Sequence, residues 1–245
     1  MLPTPSTSHV RFDNIYEPAE DSFLLLDTIS SASETAWLQS RLTGPKNLCP
    51  LIAEVGVGSG VVVAFVVAHA RAILGRTDVL ALGIDVNMNA CAAAAETVTT
   101  ATLPQADDTS PSVYLGSICS DLTSSILNEA VDVLIFNPPY VPTPNLPALP
   151  DLGTQVGASF EADSRLLSLA YAGGVEGVEQ TYRLLKALPL ILSQRGMAYV
   201  LLCAQNKPGE VKKFVECTLK MHVQTIGSSG KVAGWEKLKI LRIWR

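Results

Sequence analysis

Asn137-Pro138-Pro139-Tyr140, straight after the apolar run Val131–Phe136, is the sharpest chemical signal in the chain. Two consecutive prolines fix an extended bend and remove two backbone N–H donors, which leaves carbonyls to accept. Asn137 adds a side-chain carbonyl acceptor. Together the Asn137 side chain and the Pro138 carbonyl can take both hydrogens of a planar –NH2 group, and Tyr140 can cover one face of it. Such a grip suits a nitrogen whose lone pair is delocalised, as in a carboxamide or an exocyclic amine. Asn137, Pro138 and Tyr140 are thus the candidate catalytic residues, and with Pro139 they form the candidate substrate grip.

A second constellation, Glu54-Val55-Gly56-Val57-Gly58-Ser59-Gly60, joins a strand-like run to a helix-like one. Glycines there let a ligand approach the backbone, and the following helix N-terminus offers N–H groups. A dinucleotide fingerprint wants its third glycine at position 61, but that residue is Val and the glycine is Gly60. This spacing after an acidic strand residue suits S-adenosylmethionine better than NAD. A turn that only packs helix on strand would carry the same glycines. Asp85, at the end of the next strand, follows the turn at about the ~20-residue spacing of a ribose-binding acid. Its carboxylate can accept from both ribose hydroxyls. The competing role is a helix N-cap, which Asn87 could also fill.

The elements that must position these residues alternate between strand and helix, the pattern of an α/β domain with a mostly parallel sheet. Strands are expected at Leu51–Val55, 79–85, 112–115, Val131–Phe136 and 197–203. Residues 223–227 and 237–243 read as an antiparallel terminal hairpin around a Gly- and Ser-rich turn, 227–234. Helices are expected at 61–74, 88–100, 178–192 and 208–220. The first is rich in β-branched residues, poor for an isolated helix, but apolar on most sides and so read as buried. Residues 103–110 read as a loop, and four prolines between Pro142 and Pro150 demand another.

With 245 residues the chain is long enough for one domain with a full core. Charged residues are 17% and apolar ones 48%, with a mean hydropathy of +0.28, which excludes a disordered chain. The apolar run from Val61 to Ala68 falls far short of the ~20 residues of a membrane helix, and the N-terminus has no basic start or apolar block. A net charge of −5 argues against binding polyanions by bulk electrostatics. Five scattered cysteines without a Cys-x-x-Cys pair, and three histidines, point to a reducing compartment, with no zinc site or disulfide scaffold expected.

Asn137–Tyr140 after the fourth strand, with the glycine turn and Asp85, resembles the class I S-adenosylmethionine methyltransferases that modify planar nitrogens. Within them the chain resembles the HemK-type glutamine methyltransferases of release factors, and most closely their eukaryotic cytosolic branch. The resemblance runs through Tyr16-Glu17-Pro18-Ala19-Glu20-Asp21-Ser22, then Ser120-Asp121-Leu122, and Ala170-Tyr171-Ala172-Gly173-Gly174 with Gly177. It covers nearly the whole chain in order; the stretch 147–168 looks longer than the family needs. The resemblance implies a Rossmann-like, seven-stranded, mostly parallel sheet in a single domain, 1–245. Residues 1–50 would form a helical segment over the cofactor site, and 141–170 a substrate-side loop.

It further implies methionine-side contacts from Glu54, Gly56 and Gly58, ribose contact from Asp85, and adenine contacts from Asp121 and Leu122. Ser22 would cap the site from the N-terminal side, and Asn137 would border the cofactor as well as the acceptor. Pro18, Glu20 and Asp21 also read as a plain helix start, and Asp121 as a plain N-cap. The implied activity is transfer of a methyl group to N5 of the glutamine in the Gly-Gly-Gln loop of a translation termination factor, leaving S-adenosylhomocysteine. An adenine-N6 DNA methyltransferase, a protein lysine methyltransferase and a non-catalytic scaffold are the rivals. The implied partner is a small zinc-binding activator, seated on the edge strand at Val113-Tyr114-Leu115, which has no charge or proline to guard it. The expected location is the cytoplasm, with the nucleus as a second compartment.

Overall fold

The computed structural model describes residues 2–42, 48–103, 112–149, 160–230 and 237–245. Apolar runs that stay buried on both faces become the centre of a sheet. In β4 (Val131–Phe136) all six residues are buried, Val133 and Ile135 toward one face and Leu134 and Phe136 toward the other. This is the two-sided burial of a parallel strand. Around it lie β1 (Leu51–Val55), β2 (Leu80–Asp85), β3 (Val113–Cys119), β5 (Leu192–Cys203), β6 (His222–Ser228) and β7 (Leu238–Trp244).

The order is β3-β2-β1-β4-β5-β7-β6. β1 to β5 pair in parallel, and β7 runs antiparallel between β5 and β6. The seven-stranded α/β sheet with its antiparallel terminal hairpin is therefore as expected. One face packs against α1 (Glu20–Ile29), α2 (Ala32–Leu42), α3 (Val61–Ala68), α4 (Ala70–Leu74) and α5 (Met88–Thr102). On the other face lie α7 (Glu179–Ile191) and α8 (Pro208–Cys217), while α6 (Phe160–Tyr171) stands beside the carboxyl ends of the strands.

Four elements differ from the sequence expectation. The helix expected over 61–74 is broken at His69 (φ −113°, ψ 22°), whose ring Nε2 lies 2.8 Å from the Pro3 carbonyl. The third strand runs on to Cys119 past Gly116, which sits at φ +106° beside a register shift against β2. β5 begins five residues early, because Ser193 and Arg195 reach Asp132 on β4 at 2.6 and 2.8 Å. That buried carboxylate also accepts from the Leu51 N–H at 3.0 Å, so an acid inside an apolar strand ties β1, β4 and β5 together. Part of the stretch expected as a substrate-side loop is helix α6; residues 150–159 of it, most of the 103–110 loop and residues 231–234 of the terminal turn lie outside the described residues.

The N-terminal segment is anchored to the far end of the sheet. Glu34 on α2 accepts two bonds from Arg242 Nη1, at 2.9 and 2.7 Å, and one from the Tyr199 hydroxyl at 2.6 Å. Arg242 also lies 3.7 Å from the Trp37 ring centroid. The buried Glu34 carboxylate, with three donors on it, holds α2, and with it α1, in one place.

Candidate active site

β1 and β4 are neighbours, with Val55 beside Phe136, although 75 residues of chain separate the two strands. The turns that leave their carboxyl ends therefore meet at the point where strand order reverses, the usual place for a ligand in an open α/β sheet. The glycine turn leaves β1 there, and Asn137–Tyr140 leaves β4. Together with α1, Asp85 and the segment after β3 they line one cleft.

Gly56, Gly58 and Gly60 all have positive φ (67°, 52° and 77°), a conformation that other residues adopt only at a cost. At Gly60 a Cβ would lie 2.6 Å from Ala94 Cα, so this glycine also lets α5 cross close to the turn. Glu54 is buried beneath the turn and accepts the Val63 N–H at 2.7 Å, which secures the first turn of α3. Burial pushes its carboxyl pKa up to about 8, opposed by that backbone donor and assisted by nearby Asp85.

Asp85 accepts from the Gly58 N–H through Oδ2 (3.0 Å) and from the Asn87 N–H through Oδ1 (2.9 Å). Burial raises its pKa, opposed by those N–H donors. One donor on each oxygen leaves lone pairs on both for a pair of hydroxyls. Asn87, not Asp85, caps α5: its Oδ1 accepts from the Asn89 N–H at 3.0 Å, and its Nδ2 donates to the Asn14 carbonyl at 2.8 Å. Asp85→Ala is expected to weaken S-adenosylmethionine binding by about 1.5–3 kcal/mol, the range for hydrogen bonds to a charged group. Calorimetry showing unchanged affinity would make Asp85 a support for the turn and nothing more.

Asp121 borders the cleft and is ion-paired to Arg183 of α7 at 2.6 Å. Turns, not a helix, follow it, which removes its N-cap role. Leu122 beside it holds φ at 49°, a left-handed backbone that turns the segment along the cleft wall.

At the acceptor end, Asn137 Nδ2 donates to Asp21 Oδ2 at 3.1 Å, and the Tyr140 hydroxyl reaches the same oxygen at 3.4 Å. Asn137 Oδ1 is buried and has no hydrogen-bond partner among the described residues, a costly vacancy for an amide oxygen. The Pro138 carbonyl likewise accepts no bond among the described residues. Pro139 and Tyr140 are held from behind. A Cβ on Gly173 would lie 2.5 Å from the Pro139 carbonyl, and one on Gly177 would collide with that of Tyr140. Asn206 Nδ2 donates to the Tyr140, Glu176 and Gly177 carbonyls at 2.9, 2.9 and 3.2 Å.

Every residue expected to touch cofactor or acceptor, namely Ser22, Glu54, Gly56, Gly58, Asp85, Asp121, Leu122 and Asn137 to Tyr140, thus borders the cleft, whereas Gly60 of the glycine turn does not. Ser22 borders it from the first turn of α1, with its Oγ 3.3 Å from Asp21 Oδ1. Three residues that position the site were not anticipated as such: Asp21, Asn206 and Arg183. Asp21 had a signal, since it shares the buried face of α1 with Leu25 and Thr28, four and seven positions on, where an acid needs a partner. Among the described residues no group of three His, Cys, Asp or Glu side chains could hold a metal ion, and all five cysteines are thiols.

The cleft fits S-adenosylmethionine: a turn of positive-φ glycines, a carboxylate with open lone pairs beside it, and an orphaned amide oxygen where a transferred group would arrive. The chain is 33% identical over 251 residues to the eRF1 methyltransferase catalytic subunit mtq2 of Schizosaccharomyces pombe, covering 100% of this chain and 96% of that one. It is 32% identical over 245 residues to methyltransferase HEMK2 of Homo sapiens, covering 98% and 95%. Among solved structures it is similar in fold to the E. cuniculi Mtq2–Trm112 complex, described as methylating the eRF1 termination factor, with TM-score 0.54, 21% identity and coverage of 95% and 99%. No protein-family model matches the chain.

Proposed function

The chain belongs to the eRF1 methyltransferase family of HemK-type, S-adenosylmethionine-dependent enzymes, and from that premise we propose that it methylates N5 of the glutamine in the Gly-Gly-Gln loop of its class 1 termination factor. The observation that carries the acceptor is Asn137 Oδ1: buried, unpartnered, and turned from Asp21. With the Pro138 carbonyl it offers two acceptors to the two N–H groups of a primary carboxamide. A lysine amine must first lose a proton and is tetrahedral, so it matches this pair poorly. An exocyclic adenine amine matches the pair, but a chain of net charge −5 offers little attraction to a phosphate backbone.

S-adenosylmethionine, when bound, supplies a sulfonium methyl group to be attacked in line. The glycine turn and Glu54 border the methionine end, Asp85 serves the ribose, and Asp121 with Leu122 serves the adenine. Ser22 closes the site from α1. Asn137 and Pro138 hold the amide so that its nitrogen lone pair faces the methyl, a gain by orientation. As charge develops on that nitrogen its two protons become more acidic, and the same two oxygens then bind them more strongly. Tyr140, packed over the amide, excludes water. No residue of the grip needs to act as a base, since the methylated amide nitrogen is strongly acidic and gives up its proton to solvent as the product leaves the site.

The partner is a small zinc-binding activator of the Trm112 type, and a translation factor as acceptor fits work in the cytoplasm. Labelled S-adenosylmethionine offered to the chain with such an activator should mark the termination factor and leave its Gln→Ala form, histone and duplex DNA unmarked. Label on histone or DNA instead would overturn the reading.

A further inference from the structure

We infer that Asp21 sets which acceptor the site takes, by locking the Asn137 amide with its oxygen toward the cleft. Asp21 is 4% exposed, in the first turn of α1. Four donors converge on it: the Ser22 N–H at 2.6 Å and Ser22 hydroxyl at 3.3 Å on Oδ1, and Asn137 Nδ2 at 3.1 Å and the Tyr140 hydroxyl at 3.4 Å on Oδ2. A carboxylate so placed accepts and has nothing to donate. Only the –NH2 end of Asn137 can face it. The reversed amide would set Oδ1 against Oδ2, two buried oxygens with no proton between them.

The lock decides what the other end of Asn137 presents. Oδ1 is left buried and without a partner, so it takes an N–H and rejects an oxygen. Glutamine offers two N–H groups at that point, whereas glutamate offers only lone pairs. The bond to a charged acceptor also draws electron density through the amide toward Oδ1, which strengthens it as an acceptor. Tyr140 shares the same carboxylate oxygen, so the ring over the acceptor is fixed by the same residue. Asp21 is therefore a positioning residue that acts through Asn137 and Tyr140.

This rests on the glutamine reading given above, and it goes further in making selectivity for amide over carboxylate the task of a residue on α1. The test uses the chain co-purified with its activator, the termination factor as acceptor, and the factor's Gly-Gly-Glu form as competitive inhibitor. In Asp21→Asn the new amide can accept or donate, so Asn137 can turn either end to the cleft. Transfer to the Gly-Gly-Gln factor should fall at least about tenfold, and the Gly-Gly-Glu factor should inhibit at least about tenfold better. Cofactor affinity should stay within about threefold by calorimetry. A merely structural role would not make any ligand bind better. Asp21→Ser, which also releases Asn137, is expected to move both readouts the same way and stands in should the first variant not fold. An unchanged ratio between the two factors, or an equal loss for both, overturns the inference. Wild-type protein that modifies the Gly-Gly-Glu factor as readily as the Gly-Gly-Gln one, or neither, overturns the glutamine reading itself.

Discussion

Asn137→Ala is expected to lower methyl transfer by about 10²–10³-fold, the loss seen when one pre-aimed hydrogen-bonding group is taken from a developing charge. S-adenosylmethionine affinity should stay within a few-fold, because Asp85, the glycine turn and Asp121 remain in place. The variant should also fold. It removes one bond to Asp21, a loss on the order of 1 kcal/mol, and Asp21 keeps three other donors. Nor does it leave a new orphan, since Asn137 Oδ1 had no partner to lose. Single-turnover transfer from labelled cofactor, with calorimetry on the same sample, checks both halves. A folded Asn137→Ala protein that keeps more than about a tenth of its turnover would show that the amide is not held there.

The reactive end of the site was legible in the sequence because its signals are local. A glycine turn after a buried strand, an acid ending the next strand, and prolines after the fourth each lie within a few residues, and the sheet then brings them together. What could not be read was the support, which is made of pairs far apart in the chain. Asp21 and Asn137 are 116 positions apart, Asn206 and Tyr140 66, and Arg183 and Asp121 62. Nothing local marks such pairs except a polar side chain on a face that ought to be apolar. Asp21 on α1 and Asp132 on β4 both carry that mark. Element ends failed for a related reason. Ser193-Gln194-Arg195-Gly196 falls between the helix expected over 178–192 and the strand expected over 197–203, yet Ser193 and Arg195 are drawn into β5 by a carboxylate on β4. His69 breaks a helix through a contact with Pro3, 66 residues earlier.

Expressed alone, the chain is expected to be poorly soluble or nearly inactive, and co-expression with a Trm112-type activator should rescue it. β3 is an edge strand of the sheet, and its outer backbone groups face no neighbour among the described strands. Tyr114 packs inward on the α3 and α5 side, while Val113 and Leu115 alternate to the opposite face and are 46% and 55% exposed. The helices of that face, α7 and α8, pack on other strands and leave these two side chains uncovered. Gly116 and its register shift bend the strand just beyond, one device by which sheets discourage edge pairing, but Val113 and Leu115 lie before the bend. An added strand would pair the open edge, and covering each aliphatic side chain would contribute up to about 1.5–3 kcal/mol. Val113→Glu puts a charge into that contact, where its desolvation has no compensating partner. It also sits at the start of β3, whereas Asp121 follows the other end, so cofactor contacts should be untouched. The variant should therefore elute apart from the activator in size-exclusion chromatography and lose transfer while keeping the fold. An isolated chain that is monodisperse and fully active, or a Val113→Glu complex as tight as the parent, would mean that this edge needs no partner.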